Sequence, residues 1–482
     1  MKRTFLIALG AVLLTPLAAL PTAAAPTKPN IIFMLADDMG YMDIGANNPK
    51  TFYETPNIDA LAARGVRFTS GYAACNVCSP TRASIMTGKY PPRTGITTYI
   101  PGGEHNNRKL LPALNGNQLA LDEVTIAEAL RAAGYTNFFA GKWHLGKGEF
   151  SPSAQGFSAD LMEVASWYFP AGGATDPKPK DDPKFTDRIA DDAVKFIETN
   201  RDKPFFAYLP FNAVHIPIGA RSELMAKYTA KKNSASPEAF GTEHDRKVQL
   251  VQNNVAYAAM TEQLDTAIGR VLAALDRTGI AGRTIVIFMS DNGGLSTAQG
   301  FVTSNLPLRG GKGWLYDGGV REPLIIYAPG VTKAGSVCDQ PVISTDFYPT
   351  ILELAGLPLM PQQHVDGVSL LPLLKGGELV RGPIFWHYPH YSDQGGLPGG
   401  AVRDGDWKLI EWYEDNSIEL YNLRDDLSET NNLATKNPAK AQALLQKLHD
   451  WRASVGGKMP TLNPNPTAEG KARKNPKAKA QP

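Results

Sequence analysis

Four apolar runs in this chain share one layout: each reads as a buried β-strand, and each is followed at once by polar residues able to do chemistry. "NIIFMLA" (Asn30–Ala36) leads into Asp37 and Asp38. "TNFFA" (Thr136–Ala140) leads into "GKWHLG", which carries Lys142 and His144. "PFFAYLPF" (Pro204–Phe211) precedes "NAVHIP" with His215, and "RTIVIFMS" (Arg283–Ser290) precedes "DNGG" with Asp291 and Asn292. Helical stretches lie between them, at Glu123–Gly134, Asp187–Asn200 and the long run Lys247–Leu275. Continuous apolar strands alternating with amphipathic helices predict an α/β domain whose large, mostly parallel sheet is flanked by helices on both faces. Ligands bind such sheets at the carboxyl ends of the strands, so the four endings are expected to meet.

Asp37, Asp38, Asp291 and Asn292 offer oxygen donors, which suit a hard cation such as Ca²⁺ or Mg²⁺; no cysteine or histidine cluster has zinc-finger spacing. A single Asp pair after a strand also serves as a helix cap or turn, but two pairs after two buried strands favour a metal. Lys142 and His144 alternate in an extended segment and so point the same way. His144 and His215, just past sheet strands, are candidates for moving protons, with a structural role as the alternative. His387 and His390, in "FWHYPHY", could reach a substrate from the C-terminal part. Lys312 sits between glycines in "PLRGGKGWLYDGGVREPLIIYAPG" (Pro307–Gly330), ahead of another apolar strand. Glycine lets the backbone approach a bound anion, although a solvated lysine on a turn fits as well. The spacing is not that of a phosphate-binding loop, so no nucleotide site is expected.

The stretch "AACNVCSPTRASIMTGKY" (Ala73–Tyr90) holds two of the chain's three cysteines. Ser79 or Cys78 is expected to cap a helix with Pro80 in its first turn and Gly88 at its end. Residue 78 then lies at the positive end of a helix, with Arg82 one turn on, a place for an anion. Lys2 and Arg3, the apolar run "TFLIALGAVLLTPLAAL" and "TAAA" (Thr22–Ala25) read as a secretory signal over residues 1–25. An uncleaved anchor is the alternative, disfavoured by Pro16 and by the shortness of the run. The mature protein is therefore expected to be periplasmic or secreted, with no membrane span. Three cysteines cannot make an even disulfide framework there. A Cys75–Cys78 disulfide or a C-x-x-C redox pair explains neither the carboxylates nor Lys142, His144 and His215.

Residues 26–380 are expected to form the α/β domain. Residues 381–457 change to short runs separated by turn residues, followed by a helix over Pro438–Trp451, which predicts a smaller α+β subdomain with an antiparallel sheet. Its aromatics Trp386, Tyr388, Tyr391, Trp412 and Tyr413 either fill its core or face sugar rings. Residues 458–482 are basic, rich in Pro and Ala, and expected to be disordered. The formal charge of +2 hides a tail of six Lys/Arg against one Glu. A basic tail on a mildly acidic body gives no reason to expect nucleic acid as a partner.

"CSPTRASIMTG" (Cys78–Gly88) resembles the signature of the type I sulfatases, C-x-P-x-R followed by a hydrophobic residue and Thr-Gly. The early Asp-Asp, "GKWHLG", the later Asp-Asn-Gly and "LRGGKG" match the same family in order. The resemblance implies an alkaline phosphatase-like fold with a C-terminal four-stranded sheet. It implies that a separate maturation enzyme converts Cys78 to formylglycine, leaving Cys75 and Cys338 as incidental thiols or a pair. It further implies one Ca²⁺ bound by Asp37, Asp38, Asp291, Asn292 and the residue derived from Cys78. Arg82 would hold the aldehyde hydrate, Lys142 and Lys312 the sulfate oxygens, and His144 and His215 would handle protons. The expected activity is hydrolysis of sulfated carbohydrate or aryl sulfate, with a galactose or N-acetylgalactosamine sulfate as the expected sugar. A phosphonate or phosphate ester hydrolase of the same superfamily and a non-catalytic sulfated-glycan binder are the alternatives.

Overall fold

A computed structural model describes residues 28–467 except 104, 159–180 and 233–235. The expected signal segment and most of the basic tail lie outside the described residues. Asn30–Ala36 is the central strand, fully buried, as a run with apolar residues at nearly every position must be. It pairs in parallel with Thr284–Ser290 on one side and Phe205–Pro210 on the other. The seven-stranded sheet runs Ser336–Cys338, Val66–Phe68, Leu324–Tyr327, Thr284–Ser290, Asn30–Ala36, Phe205–Pro210, Thr136–Phe139, and of these only Leu324–Tyr327 is antiparallel to its neighbours.

Alternation along the central strand builds two apolar layers. Ile32, Met34 and Ala36 pack with Ile189 and Phe196 of the helix Thr186–Asn200 and with Ile268 and Val271 of the helix Val255–Arg277. Ile31, Phe33 and Leu35 pack with Ile85 and Met86 of the helix Cys78–Thr87 and Ile351 of the helix Phe347–Leu354. The helix expected from Lys247 begins only at Val255, where the Asn254 side chain accepts a hydrogen bond from the Tyr257 amide at 3.0 Å. Ahead of it, Phe240–Glu243 and Arg246–Gln249 form a hairpin. The helix expected over Glu123–Gly134 is trimmed to Ile126–Ala132 by a reciprocal cap between Thr125 and Glu128.

The C-terminal part is an antiparallel sheet of four strands, Ile384–Tyr388, Gly399–Asp404, Trp407–Trp412 and Ile418–Asn422, in that order. One face packs Val402, Leu409 and Leu420 against Leu444 and Leu448 of the helix Pro438–Ser454. The opposite face packs Trp386, Ile410 and Trp412 against Tyr72, Trp314 and Tyr316 of the main domain. Lys408 shares that second face and is fully buried. Its ammonium lies 2.8 Å from Asp317 Oδ1 and 2.9 Å from Glu429 Oε1, and the Asp317 amide donates to Glu429 Oε2 at 2.6 Å. Residues 458–467, part of the tail expected to be disordered, take defined positions. Thr461–Leu462 pairs with Leu110–Leu111, because backbone groups there find partners in the main domain. No helix among the described residues is long and apolar enough to cross a membrane.

Lys408→Met is expected to destabilise the protein by about 3–5 kcal/mol, because it leaves the buried Glu429 without a cation and Asp317 with Arg321 alone, at 3.3 Å. Lys447→Ala, which breaks the half-exposed pair with Asp404, should cost about 1 kcal/mol or less. Denaturant midpoints of the two variants check the contrast.

Candidate active site

Backbone hydrogen bonds continue past the strand ends and draw the four endings together. The Asp37 amide donates to the Ala213 carbonyl at 2.9 Å and the Val214 amide to the Asp37 carbonyl at 2.7 Å, which seats His215 beside Asp37 and Asp38. The Lys142 amide donates to Pro210 O at 2.7 Å, and the Asp291 amide to Ala36 O at 3.1 Å. The glycine-rich loop joins through the Lys312 amide, which donates to Gly294 O at 3.1 Å, and the Gly313 amide, which donates to Asn76 O at 2.8 Å. Two residues beyond Asn76 lies Cys78, at the first position of its helix. Neither Cys78 nor Ser79 is the cap. Val77 takes that place in extended backbone with no side-chain bond, and the Ser79 hydroxyl instead accepts from the Ile100 amide at 3.1 Å.

The side chains interlock. Arg82 donates from Nε and Nη2 to Asp291 Oδ2 at 2.9 and 2.6 Å, and from Nη1 to the Lys142 carbonyl at 2.6 Å. Lys142 Nζ donates to Asp37 Oδ2 at 2.7 Å. Lys312 Nζ donates to Asp38 Oδ2 at 2.8 Å, and Asn292 Nδ2 to Asp38 Oδ1 at 2.8 Å. His215 Nε2 stands 3.6 Å from Asp38 Oδ2, while its Nδ1 is 2.6 Å from the Ile216 carbonyl. His144 Nε2 lies 2.7 Å from the Ile100 carbonyl. Ligand atoms of Asp37, Asp38, Cys78 and His215 all fall within 4.8 Å of one another. The structure therefore brings together every residue singled out at the four strand ends, with residue 78, Arg82 and Lys312. The expected extended run from Lys142 breaks at His144, whose φ is 59°, and Asp38 has φ 67°; such left-handed conformations are uncommon outside glycine and gather at functional sites.

Burial and charge set the protonation states. Burial raises the Asp37 carboxyl, but Lys142, His215, Arg82 and Lys312 outweigh it and hold it well below the usual range. Asp291 is pushed up to about 6 by burial, against the pull of Arg82. Burial alone would lower Lys312, yet Asp38 keeps it protonated. Burial and Lys312 lower His215 to about 4, and burial and Lys142 lower His144. Glu322, buried near Asp291 and Asp38, is raised well above the usual carboxyl range and adds no negative charge.

The donor set fits a hard divalent cation. Carboxylate and amide oxygens converge, and Asp37 Oδ1 and Asn292 Oδ1 are buried without a hydrogen-bond partner. Other sequence candidates fall elsewhere. His390 is held by Thr97 Oγ1 at 2.7 Å, and His387 by the Tyr413 hydroxyl at 2.8 Å and the Lys458 carbonyl at 2.9 Å, so both buried rings brace the structure and do not reach the centre. Trp386, Tyr388 and Trp412 belong to the core between the sheets. Sequence reasoning missed Asp317, Lys408 and Glu429, although alternation along "WKLIEW" does place Lys408 on the apolar face with Ile410 and Trp412.

Burial pushes the Cys75 thiol up to about 12 and raises Cys78 as well, the opposite of a redox-active thiol. Iodoacetamide at neutral pH is expected to alkylate both at least ~100-fold more slowly in the folded chain than in the unfolded one. Peptide mass spectrometry reads the rates.

Comparison with known proteins agrees with this geometry. The sulfatase family model matches residues 29–357, and the model of the N-sulphoglucosamine sulphohydrolase C-terminal region matches residues 311–454. A sulfatase of Formosa agariphila is 36% identical, covering 94% of this chain and 94% of its own. N-acetylgalactosamine-6-sulfatase of Mus musculus is 32% identical over 86% of this chain and 77% of its own. The crystal structure of Ps i-CgsB in complex with k-i-k-neocarrahexaose superposes with a TM-score of 0.72 at 28% identity, covering 92% of this chain and 94% of that one. With a matched family model across most of the main domain and an alkaline phosphatase-like arrangement of strands, this chain belongs to the type I sulfatases and is a sulfuric ester hydrolase.

Proposed function

We propose that the protein removes sulfate from sulfated carbohydrates, with residue 78 matured from cysteine to formylglycine by a separate enzyme and with Ca²⁺ as the metal. The observation that carries this reading is the meeting of oxygen donors, paired cations and two histidines around residue 78 at the helix start. Asp37, Asp38, Asp291, Asn292 and residue 78 would hold the ion, which would supply positive charge for the sulfonyl oxygens and acidify a hydroxyl of the hydrated aldehyde. The carbohydrate class is supported by relatives whose names or bound ligands are sugars. Export to the periplasm or beyond, read from residues 1–25, fits a polysaccharide substrate.

The remaining work falls to the chain's own side chains. Arg82, clamped on Asp291 and on the Lys142 carbonyl, fixes the positions of both partners and of the helix that carries residue 78. Lys142 and Lys312, both protonated, offset charge that grows on the sulfate oxygens. A carbonyl can only accept, so His144 donates from Nε2 to Ile100 and keeps its lone pair at Nδ1, where it can take up a proton. By the same logic His215 donates from Nδ1 to Ile216, and Nε2 is its exchanging atom. The departing alcohol would take its proton from Lys312, which stays charged, or from His215 once its Nε2 has been protonated.

Cys78→Ala is expected to abolish release of sulfate, and Lys312→Ala to lower kcat by roughly 100- to 1,000-fold, the usual cost of removing one charge-stabilising donor. Chelation should silence the enzyme and Ca²⁺ restore it. In the active protein the peptide containing residue 78 should have the mass of an aldehyde in place of a thiol. Full turnover by Cys78→Ala would refute the reading.

A further inference from the structure

Beside the centre lies a cavity of ≈ 420 Å³ with mixed polar and apolar walls, a volume within the range of ligand sites. Three distant stretches of chain build it: Arg108, the hairpin tip at Asp245 and Arg246, and the segment from Tyr391 to Leu397 with Glu414. Its floor rests on the loop that carries Lys312. A Cβ on Gly396 would come within 1.7 Å of the Gly313 carbonyl, and one on Gly313, where φ is +85°, within 2.0 Å of Ser392 Oγ. Only glycines allow this approach, so the cavity wall is seated one residue from Lys312.

A polar bridge links the cavity to the centre. The Tyr99 hydroxyl donates to Asp393 Oδ2 at 2.7 Å, and His105 Nε2 stands 3.4 Å from Asp393 Oδ1. The His105 ring in turn lies 6.1 Å from the ring of Tyr391 on the cavity wall. Next to Tyr99, the Ile100 carbonyl is the partner of His144. Asp393 is lowered first by His105 and also by Lys312, so its carboxylate lies within the electrostatic reach of the centre.

The walls are braced and carry charges of both signs. The Arg108 guanidinium lies over the Tyr391 ring at 5.4 Å, and the Tyr391 hydroxyl accepts from the Leu110 amide at 3.2 Å and donates to Glu414. Arg246 packs along Gly395, with Nε 3.3 Å from Asp245 Oδ1. His244 stacks on Trp314 with ring centroids 5.2 Å apart, which pins the hairpin tip to the Lys312 loop. Asp245 and Glu414 line the cavity too, but each is already engaged, by Arg246 and by the Tyr391 hydroxyl, so an acidic substituent flanked by sugar hydroxyls can still meet the two guanidiniums.

We propose that this cavity is the subsite for the glycosyl unit adjoining the sulfated one, and that it takes a pyranose bearing an anionic group, sulfate or carboxylate, held by Arg108 and Arg246. The inference rests on the sulfated-carbohydrate reading and narrows it to oligosaccharides charged on the neighbouring ring.

The test uses the matured full-length enzyme with 4-nitrophenyl sulfate, a sulfated monosaccharide, and disaccharides with the same sulfated unit whose neighbour carries a sulfate, a carboxylate or neither. The wild type should favour the charged disaccharides over the monosaccharide and the uncharged disaccharide. In Arg108→Ala and Arg246→Ala, the ratio of kcat/KM for a charged disaccharide to that for 4-nitrophenyl sulfate should fall roughly 10- to 100-fold, mainly through KM, as loss of a charged hydrogen bond dictates. Arg108→Lys should recover part of the loss. Whether sulfate or carboxylate is preferred identifies the group. Turnover of 4-nitrophenyl sulfate with no preference for charged disaccharides overturns the subsite alone. Ratios unmoved in both alanine variants overturn it as well. Failure to hydrolyse any sulfate ester overturns the carbohydrate reading and the subsite with it.

Discussion

Mutual neutralisation of buried charge is the constraint on which the molecule depends. Asp37, Asp38 and Asp291 are buried against Arg82, Lys142 and Lys312, three carboxyls against three cations. None of these groups could be taken out of water alone without several kcal/mol of loss. Each is tolerable because another chain segment delivers its counter-charge, so sheet, helix and glycine loop must all be in register before any one side chain is comfortable. Under the proposed function a divalent ion would leave this balance at about +2, a potential that attracts an anionic ester and is restored when sulfate departs.

Much of this was legible because it is local. Strands such as Asn30–Ala36 announce themselves by unbroken apolarity, and the residues after them by type. Helix Cys78–Thr87 declares its end at Gly88, which adopts φ 68°. Pairings were not legible, since nothing near Lys142 in sequence says that it will meet Asp37, 105 residues away. The Lys247 region misled for a different reason. Its apolar spacing suits a helix, but the exposed hairpin Phe240–Gln249 draws its stability from His244 on Trp314, a contact that periodicity cannot see. The sequence left His387 and His390 able to reach a substrate from the C-terminal part; what it does not show is that both nitrogens of His387 are taken by Tyr413 and the Lys458 carbonyl, and Nε2 of His390 by Thr97.

The C-terminal sheet is more than an appendage. Through Lys408 it grips Asp317, five residues from Lys312, and through Tyr421 and the Glu429 carbonyl it holds Arg309 on the other side of the same loop. A loop rich in glycine has little stiffness of its own, so the rigidity of the lysine it presents is borrowed from a sheet that never touches the reacting atoms.

The short pairing of Thr461–Leu462 with Leu110–Leu111 has a bearing on how the molecule is completed. Asn463 Nδ2 donates to the carbonyls of Asn106 and Arg108, both at 2.8 Å, so the far end of the chain straps down the segment that supplies Arg108. During synthesis that strap emerges some 350 residues after the stretch it fastens. Under the proposed subsite, a chain cut after the helix Pro438–Ser454 would leave Arg108 without this strap and hold a long substrate less firmly.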